Sequence, residues 1–126
     1  MAKILIIEDD EFLRKLLSKK LQENKHEVEQ AETGERGVKL ISEFKPELIL
    51  LDLLLPGMHG FEVLSWLREQ NNGISGTPVI ILSNLGSEED IEKGYDLGAN
   101  DFLVKAKFTP KEITDKIKRF TEERGS

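Results

Sequence analysis

Glu8, Asp9 and Asp10 stand together directly after one apolar run, and Asp52 directly follows another, 43 residues beyond Asp9. Ser83 and Lys105 close two further apolar runs. Carboxylates crowded into one pocket repel, and their pKa values rise unless a cation sits among them. An all-oxygen set of this kind suits Mg²⁺, which takes one or two carboxylates and keeps its other positions for water and phosphate oxygens. A hydroxyl and an ammonium beside such a pocket complement the equatorial oxygens of a phosphoryl group. Taken singly, Ser83 and Lys105 say little, because both residue types commonly end strands. The information lies in four runs that end in acid, acid, hydroxyl and amine. Asp10 has a plainer expected role, as N-cap of the helix that follows.

These residues meet only if the apolar runs form one sheet. Lys3–Ile7, Leu48–Leu51 and Val79–Leu82 are short, rich in Leu, Ile and Val, and bounded by acids, Pro or Ser. They read as buried strands of a parallel sheet. Phe102–Lys105 is a shorter version, and half-polar Glu27–Ala31 suits a sheet edge.

Helical patterns alternate with them. Leu13, Leu16, Leu17 and Leu21 share a face of a helix from about Asp10 to Asn24. Val38, Leu40 and Ile41 mark a second helix, ended before Pro46. Phe61, Val63, Leu64 and Leu67 mark a third, stopped by the turn residues 71–76. Ser87 caps a fourth that Gly98 closes. Thr109-Pro110-Lys111-Glu112 opens the last, with Thr as N-cap, Pro at the first helical position and Glu three residues on. Five βα units predict an α/β fold: a five-stranded parallel sheet with helices on both faces, flavodoxin-like and doubly wound. The third strand is the most apolar and the second the least, so the expected order is 2-1-3-4-5. The first and third strands are then neighbours, about 4.8 Å apart, and Asp9 and Asp52 share one rim.

Composition narrows the field. The chain has 126 residues, 18 basic against 24 acidic, and no cysteine. That length is one domain's worth, read as a single domain over 1–126 with its core at about 3–121. With no Cys there is no disulfide framework and no thiolate or zinc-thiolate chemistry. No apolar stretch is long enough to span a membrane, and residues 4–7 follow a single lysine and meet Glu8, unlike a signal peptide. A cytoplasmic protein without membrane contact is expected. The net charge of −6 argues against direct nucleic-acid binding. Residues 105–126 run the other way, with seven Lys/Arg against four Asp/Glu, for +3.

The runs Ile4-Leu5-Ile6-Ile7-Glu8-Asp9-Asp10, Leu50-Leu51-Asp52-Leu53-Leu54-Leu55-Pro56-Gly57-Met58-His59-Gly60, Val79-Ile80-Ile81-Leu82-Ser83 and Phe102-Leu103-Val104-Lys105 occur in this order. In these motifs the chain resembles the receiver domains of two-component response regulators, including the chemotaxis receivers, over residues 3 to about 121. The resemblance implies that Asp52 accepts a phosphoryl group from a sensor histidine kinase or phosphotransfer protein. It implies that Asp9, Asp52 and the Leu54 carbonyl bind Mg²⁺ directly, and Glu8 through water. Lys105 would contact the phosphoryl oxygens, Ser83 would follow them to switch the domain, and Phe102 matches an aromatic that turns inward on activation. Such a protein is not a turnover enzyme. It catalyses its own phosphorylation and slow dephosphorylation, signals to a downstream protein target by contact, and is a monomer or a phosphorylation-dependent dimer.

Three departures stand out. Lys105 is followed by Ala106-Lys107 where the family usually has a single Pro after a cis peptide bond. A cis bond before Ala costs roughly 3 kcal/mol, so a rebuilt loop is expected. Asn84 replaces a small residue beside the phosphoryl site. His59 replaces an Asp and reads as an exposed loop residue rather than a ligand. His26 is the only other histidine, which disfavours a histidine-based site.

Two other classes compete with the switch. A phosphorylation-independent adaptor on the same fold would explain Asn84 and the missing Pro. A small enzyme fits poorly: a flavodoxin-like electron carrier needs a Ser/Thr/Gly-rich loop after the first strand, and an aspartyl-phosphate hydrolase needs a second acid where Leu54 stands. The sequence ends soon after the last helix pattern, which is compatible with a stand-alone receiver, a phosphorelay shuttle or a receiver excised from a longer protein. The kinase is expected to dock near Phe12 and Leu13, and the output surface to be the face of the fourth helix, fifth strand and fifth helix.

Overall fold

Five strands, β1 (Lys3–Ile7), β2 (Glu27–Ala31), β3 (Leu48–Leu51), β4 (Val79–Ser83) and β5 (Asp101–Val104), pair in parallel in the order β2-β1-β3-β4-β5. The structure is a computed structural model that describes residues 1–125, with side chains through Glu123; Ser126, the last residue of the expected 1–126 domain, lies outside the described residues. The expected order, with polar β2 at an edge, is the observed one. Register fixes the functional rim. Ile7 pairs with Leu51, so Glu8 and Asp52 are the next residues on adjacent strands, and the Asp52 N–H donates to the Ile7 carbonyl at 2.9 Å.

Alternation along each strand sends side chains to opposite faces. Leu5, Ile7, Ile49, Leu51 and Ile81 join one core, and Ile4, Ile6, Leu48, Leu50, Ile80 and Leu82 the other. Helices α2 (Gly34–Phe44) and α3 (Gly60–Arg68) cover the first face through Leu40, Ile41, Val63, Leu64 and Leu67, joined by Ile91 of α4 (Glu88–Asp96). Helices α1 (Glu11–Glu23) and α5 (Pro110–Gly125) cover the second through Leu17, Leu21, Ile113 and Ile117. Both faces of the inner strands are buried, which is why their sequences are apolar without alternation.

Capping chemistry sets the helix starts. The Asp10 carboxylate accepts from the Leu13 N–H, and the Ser87 hydroxyl from the Asp90 N–H. Thr109 and Glu112 form a reciprocal pair: the Glu112 N–H donates to the Thr109 hydroxyl and the Thr109 N–H to the Glu112 carboxylate.

Two local expectations are corrected. His59 is half-buried and caps α3: its Nδ1 accepts the Phe61 N–H at 3.0 Å, its ring stacks on Phe61, and the Glu62 carboxylate accepts the His59 N–H. An imidazole nitrogen can satisfy an orphan helix N–H much as a carboxylate does. Lys105 does not end β5. The strand stops at Val104, and Lys105–Lys107 form a 3₁₀ turn closed by the Phe108 N–H on the Lys105 carbonyl at 3.3 Å. No peptide bond among the described residues is cis, so the chain leaves the sheet by a tight turn that Ala106 and Lys107 can adopt.

Candidate functional site

At the carboxyl ends of β1 and β3, carboxylate oxygens of Glu8, Asp9 and Asp52 lie within 4.8 Å of one another. Glu8 and Asp52 are buried, and Asp9 is exposed. Lys105 reaches in from the turn after β5. Its Nζ lies 2.7 Å from Glu8 Oε1 and 3.0 Å from Asp52 Oδ2. The other Glu8 oxygen, Oε2, accepts the Asp10 N–H at 3.0 Å, and Asp52 Oδ1 accepts a long bond from the Leu54 N–H at 3.4 Å.

The electrostatics are unfinished. Burial pushes the Glu8 carboxyl up to about 7; the Asp52 charge adds to the rise, and Lys105 and the Asp10 N–H only partly offset it. Burial alone would lower the Lys105 ammonium, but its two carboxylate partners together outweigh burial and hold it above the usual lysine value. Glu8 Oε1 is buried and receives no aligned hydrogen bond, only the ammonium contact. Three carboxylates facing one ammonium leave room for more positive charge, and their all-oxygen set fits a hard divalent cation.

The loop after Asp52 is closely packed. A Cβ on Gly60 would collide with the Asp52 carbonyl, and the Gly60 N–H donates to the Leu53 carbonyl at 2.8 Å. Leu54 projects outward, 52% exposed.

Ser83 ends β4 fully buried, its hydroxyl accepting the Leu85 N–H at 3.2 Å. Asn84 is exposed, and Leu85 is half-buried against the first core. Phe102 points inward, 8% exposed, and packs on α4 where Gly94 leaves space: a Cβ there would come within 3.0 Å of the ring. Phe12 is 78% exposed at the start of α1, and neighbouring Leu13 is half-buried against the second core. His26 is remote in role, its Nδ1 accepting the Ala2 N–H.

One residue of this region escaped sequence reasoning. Arg14, on α1, is 3% exposed and donates from Nη1 to the Glu8 carbonyl at 3.0 Å. Its spacing to Leu17 and Leu21, three and seven residues on, puts a charge on an apolar stripe. That was the available signal.

Similarity to known proteins agrees with this geometry. The family model described as the response regulator receiver domain matches residues 4–118. The transcriptional regulatory protein AfsQ1 of Streptomyces coelicolor is 39% identical over 105 residues, covering 83% of this chain and 45% of that protein. The chain spans about half the length of the curated relatives it matches. The Francisella response regulator 1452 receiver domain superposes with a TM-score of 0.88 at 30% identity, covering 98% of this chain and 99% of that one. The Mn(2+)-bound form of response regulator Rcp1 matches with a TM-score of 0.73 at 30% identity, over 82% of this chain and 80% of its own. Receiver domains accept phosphoryl groups, generally bind Mg²⁺ and interact with histidine kinases. With its strand order, its acidic rim and a match over residues 4–118, this chain belongs to the response regulator receiver domains.

Proposed function

We propose that Asp52 is the phosphoacceptor of a phosphorylation-controlled switch, taking its phosphoryl group from a phosphohistidine of a sensor kinase or phosphotransfer protein. The observation that carries this reading is the Lys105 ammonium lodged between Glu8 and Asp52, at 2.7 and 3.0 Å. A carboxylate attacking phosphorus needs no base, only positioning and neutralisation of charge. An Asp52 oxygen forms the new O–P bond, the P–N bond to the donor imidazole breaks, and its electron pair stays on that nitrogen, which takes up a proton. The Lys105 ammonium lies within reach of the oxygens that carry charge in that transfer. Ser83 stands at the end of the neighbouring strand, where its hydroxyl can turn from the Leu85 N–H to a phosphoryl oxygen.

Asp9, Asp52 and the Leu54 carbonyl would hold Mg²⁺, with Glu8 joined through water. The all-oxygen set, with three carboxylates clustered round one ammonium, supports the fit. When bound, Mg²⁺ supplies charge neutralisation for the phosphoryl oxygens. Phe102 and Ser83 would pass the change to the α4–β5–α5 face and a downstream protein target, without direct nucleic-acid contact by this domain. The domain would span 1–126, act as monomer or phosphorylation-dependent dimer, work in the cytoplasm and turn over no substrate besides its own phosphoryl group. No helix among the described residues is long and apolar enough to cross a membrane.

Intact-mass measurement after incubation with a small phosphodonor and Mg²⁺ tests the reading. One phosphoryl adduct is expected on the wild type and none on Asp52→Asn. No adduct on either would favour the phosphorylation-independent adaptor.

A further inference from the structure

Arg14 is a buried charge with no role in the chemistry above. A buried guanidinium loses its hydration and persists only where its N–H groups are matched. Here the matching is unusual. Nη1 donates to the Glu8 carbonyl at 3.0 Å and Nε to the Gln30 side-chain oxygen at 3.1 Å. Among the described residues the one carboxylate in contact, Glu32, lies 3.6 Å from Nη2 and is 73% exposed, which makes it a weak counter-ion. Most of the guanidinium's directional bonding is therefore spent on one backbone carbonyl and one neutral amide.

That carbonyl belongs to the peptide joining Glu8 to Asp9. The same stretch is held elsewhere: the Glu8 N–H donates to the Ala31 carbonyl at 3.0 Å, and the Asp10 N–H to Glu8 Oε2 at 3.0 Å. Arg14 adds the bond that fixes the plane of the Glu8–Asp9 peptide, and so the directions in which the two acids leave the backbone. Gln30 anchors the guanidinium in turn, its amide nitrogen donating to the Ser18 hydroxyl at 3.1 Å. The chain Ser18–Gln30–Arg14–Glu8 thus ties α1 and the edge strand β2 to the acidic rim. Arg14 itself is held in register by its own N–H on the Asp10 carbonyl at 2.9 Å, within the helix that Asp10 caps.

We propose that Arg14 is a positioning residue for divalent-cation binding, acting by locking the Glu8–Asp9 peptide so that both carboxylates face the cation. The proposal rests on the reading of Glu8, Asp9 and Asp52 as the cation site. Residues that orient ligands from behind cost about tenfold to a hundredfold in metal affinity when removed.

The test is Mn²⁺ affinity by electron paramagnetic resonance, beside the ¹⁵N–¹H shift of the Asp9 amide in metal-free protein, which responds to the hydrogen bond on the Glu8 carbonyl. Arg14→Met is expected to keep the helical circular dichroism, move the Asp9 amide signal and weaken Mn²⁺ binding at least tenfold. Arg14→Lys retains the charge and a donor for the carbonyl but not the fork that also reaches Gln30, and is expected to bind Mn²⁺ at least about threefold tighter than Arg14→Met while staying weaker than wild type. Glu32→Gln should change nothing. Wild-type affinity in folded Arg14→Met overturns the proposal, as does an equal loss in Arg14→Lys and Arg14→Met. Should Arg14→Met fail to fold, Gln30→Met decides: slackening the guanidinium from its outer edge is expected to weaken Mn²⁺ about threefold, and unchanged affinity overturns the proposal. The cation-site reading fails separately, if wild type binds Mn²⁺ no more tightly than Asp9→Asn or Asp52→Asn.

Discussion

Lys105 Nζ lies 3.0 Å from Asp52 Oδ2 across 53 residues of chain, and the same ammonium touches Glu8 Oε1 at 2.7 Å. It therefore neutralises part of the charge that a divalent cation would otherwise meet. Replacing Lys105 with Met leaves two buried acids short of a partner and should lower metal-free stability by about 2–3 kcal/mol. The same change should tighten Mg²⁺ binding several-fold by removing a competitor, and slow phosphorylation from a small donor by about a hundredfold. Calorimetric Mg²⁺ titration checks the gain in affinity; weaker binding in Lys105→Met would contradict it.

A second expectation follows from Glu8. Burial raises its carboxyl from 4.5 to about 7, so the folded state holds this proton more tightly than the unfolded chain does. The stability that this protonation contributes is fully present below pH 4.5 and is lost as pH rises through 7. Thermal unfolding of metal-free protein should show that loss, Glu8→Gln should flatten it, and Mg²⁺ should offset it near pH 7. A wild-type profile that matches Glu8→Gln in the absence of metal would count against it.

Phospho-Asp52 should be long-lived for a receiver. In a receiver, the side chains two residues after the phosphoacceptor and two after the hydroxyl would flank the approach of water to phosphorus; here they are Leu54 and Leu85, neither of which can hydrogen-bond a water. Leu54 stands exposed on the rim while Leu85 packs against the core. Leu54→Asn and Leu85→Glu should each speed decay about tenfold, equivalent to about 1.4 kcal/mol. Decay no faster than wild type in both variants would rule out shielding by these leucines.

The switch makes a spatial claim. Phe102 already lies inward against Gly94 and pairs with Ile81 of β4, and buried Ser83, two residues on, pairs with Val104. Phosphorylation should shift amide signals from Asp52 through Ser83 to Phe102, Val104 and α4, and Ser83→Ala should keep the phosphoryl group yet lose the distant shifts. Shifts confined to the neighbours of Asp52 in wild type would contradict a switch.

Much of the fold and of the acidic rim is legible in the amino-acid sequence. Apolar content orders the strands because inner strands of a parallel sheet are buried on both faces, whereas β2 shows one face to solvent. Caps are legible at Asp10, Ser87 and Thr109, whose side chains are ordinary N-caps. His59 is not, because an imidazole caps rarely and its acceptor nitrogen shows only in the fold. The turn at Lys105 depends on how the chain leaves the sheet edge, which strand periodicity does not encode. Arg14 carries a signal in its place on the apolar stripe, but its partners, the Glu8 carbonyl and Gln30, come together only through tertiary structure.

The central claim is that the phosphoryl group sits on Asp52. Borohydride reduces an acyl phosphate to an alcohol and would convert phosphorylated aspartate to homoserine. Peptide mass spectrometry after phosphodonor, Mg²⁺ and borohydride should find homoserine at position 52, dependent on the donor and lost in Asp52→Asn. Homoserine at Asp9 or elsewhere, or a phosphoryl adduct that leaves residue 52 as aspartate, would contradict it.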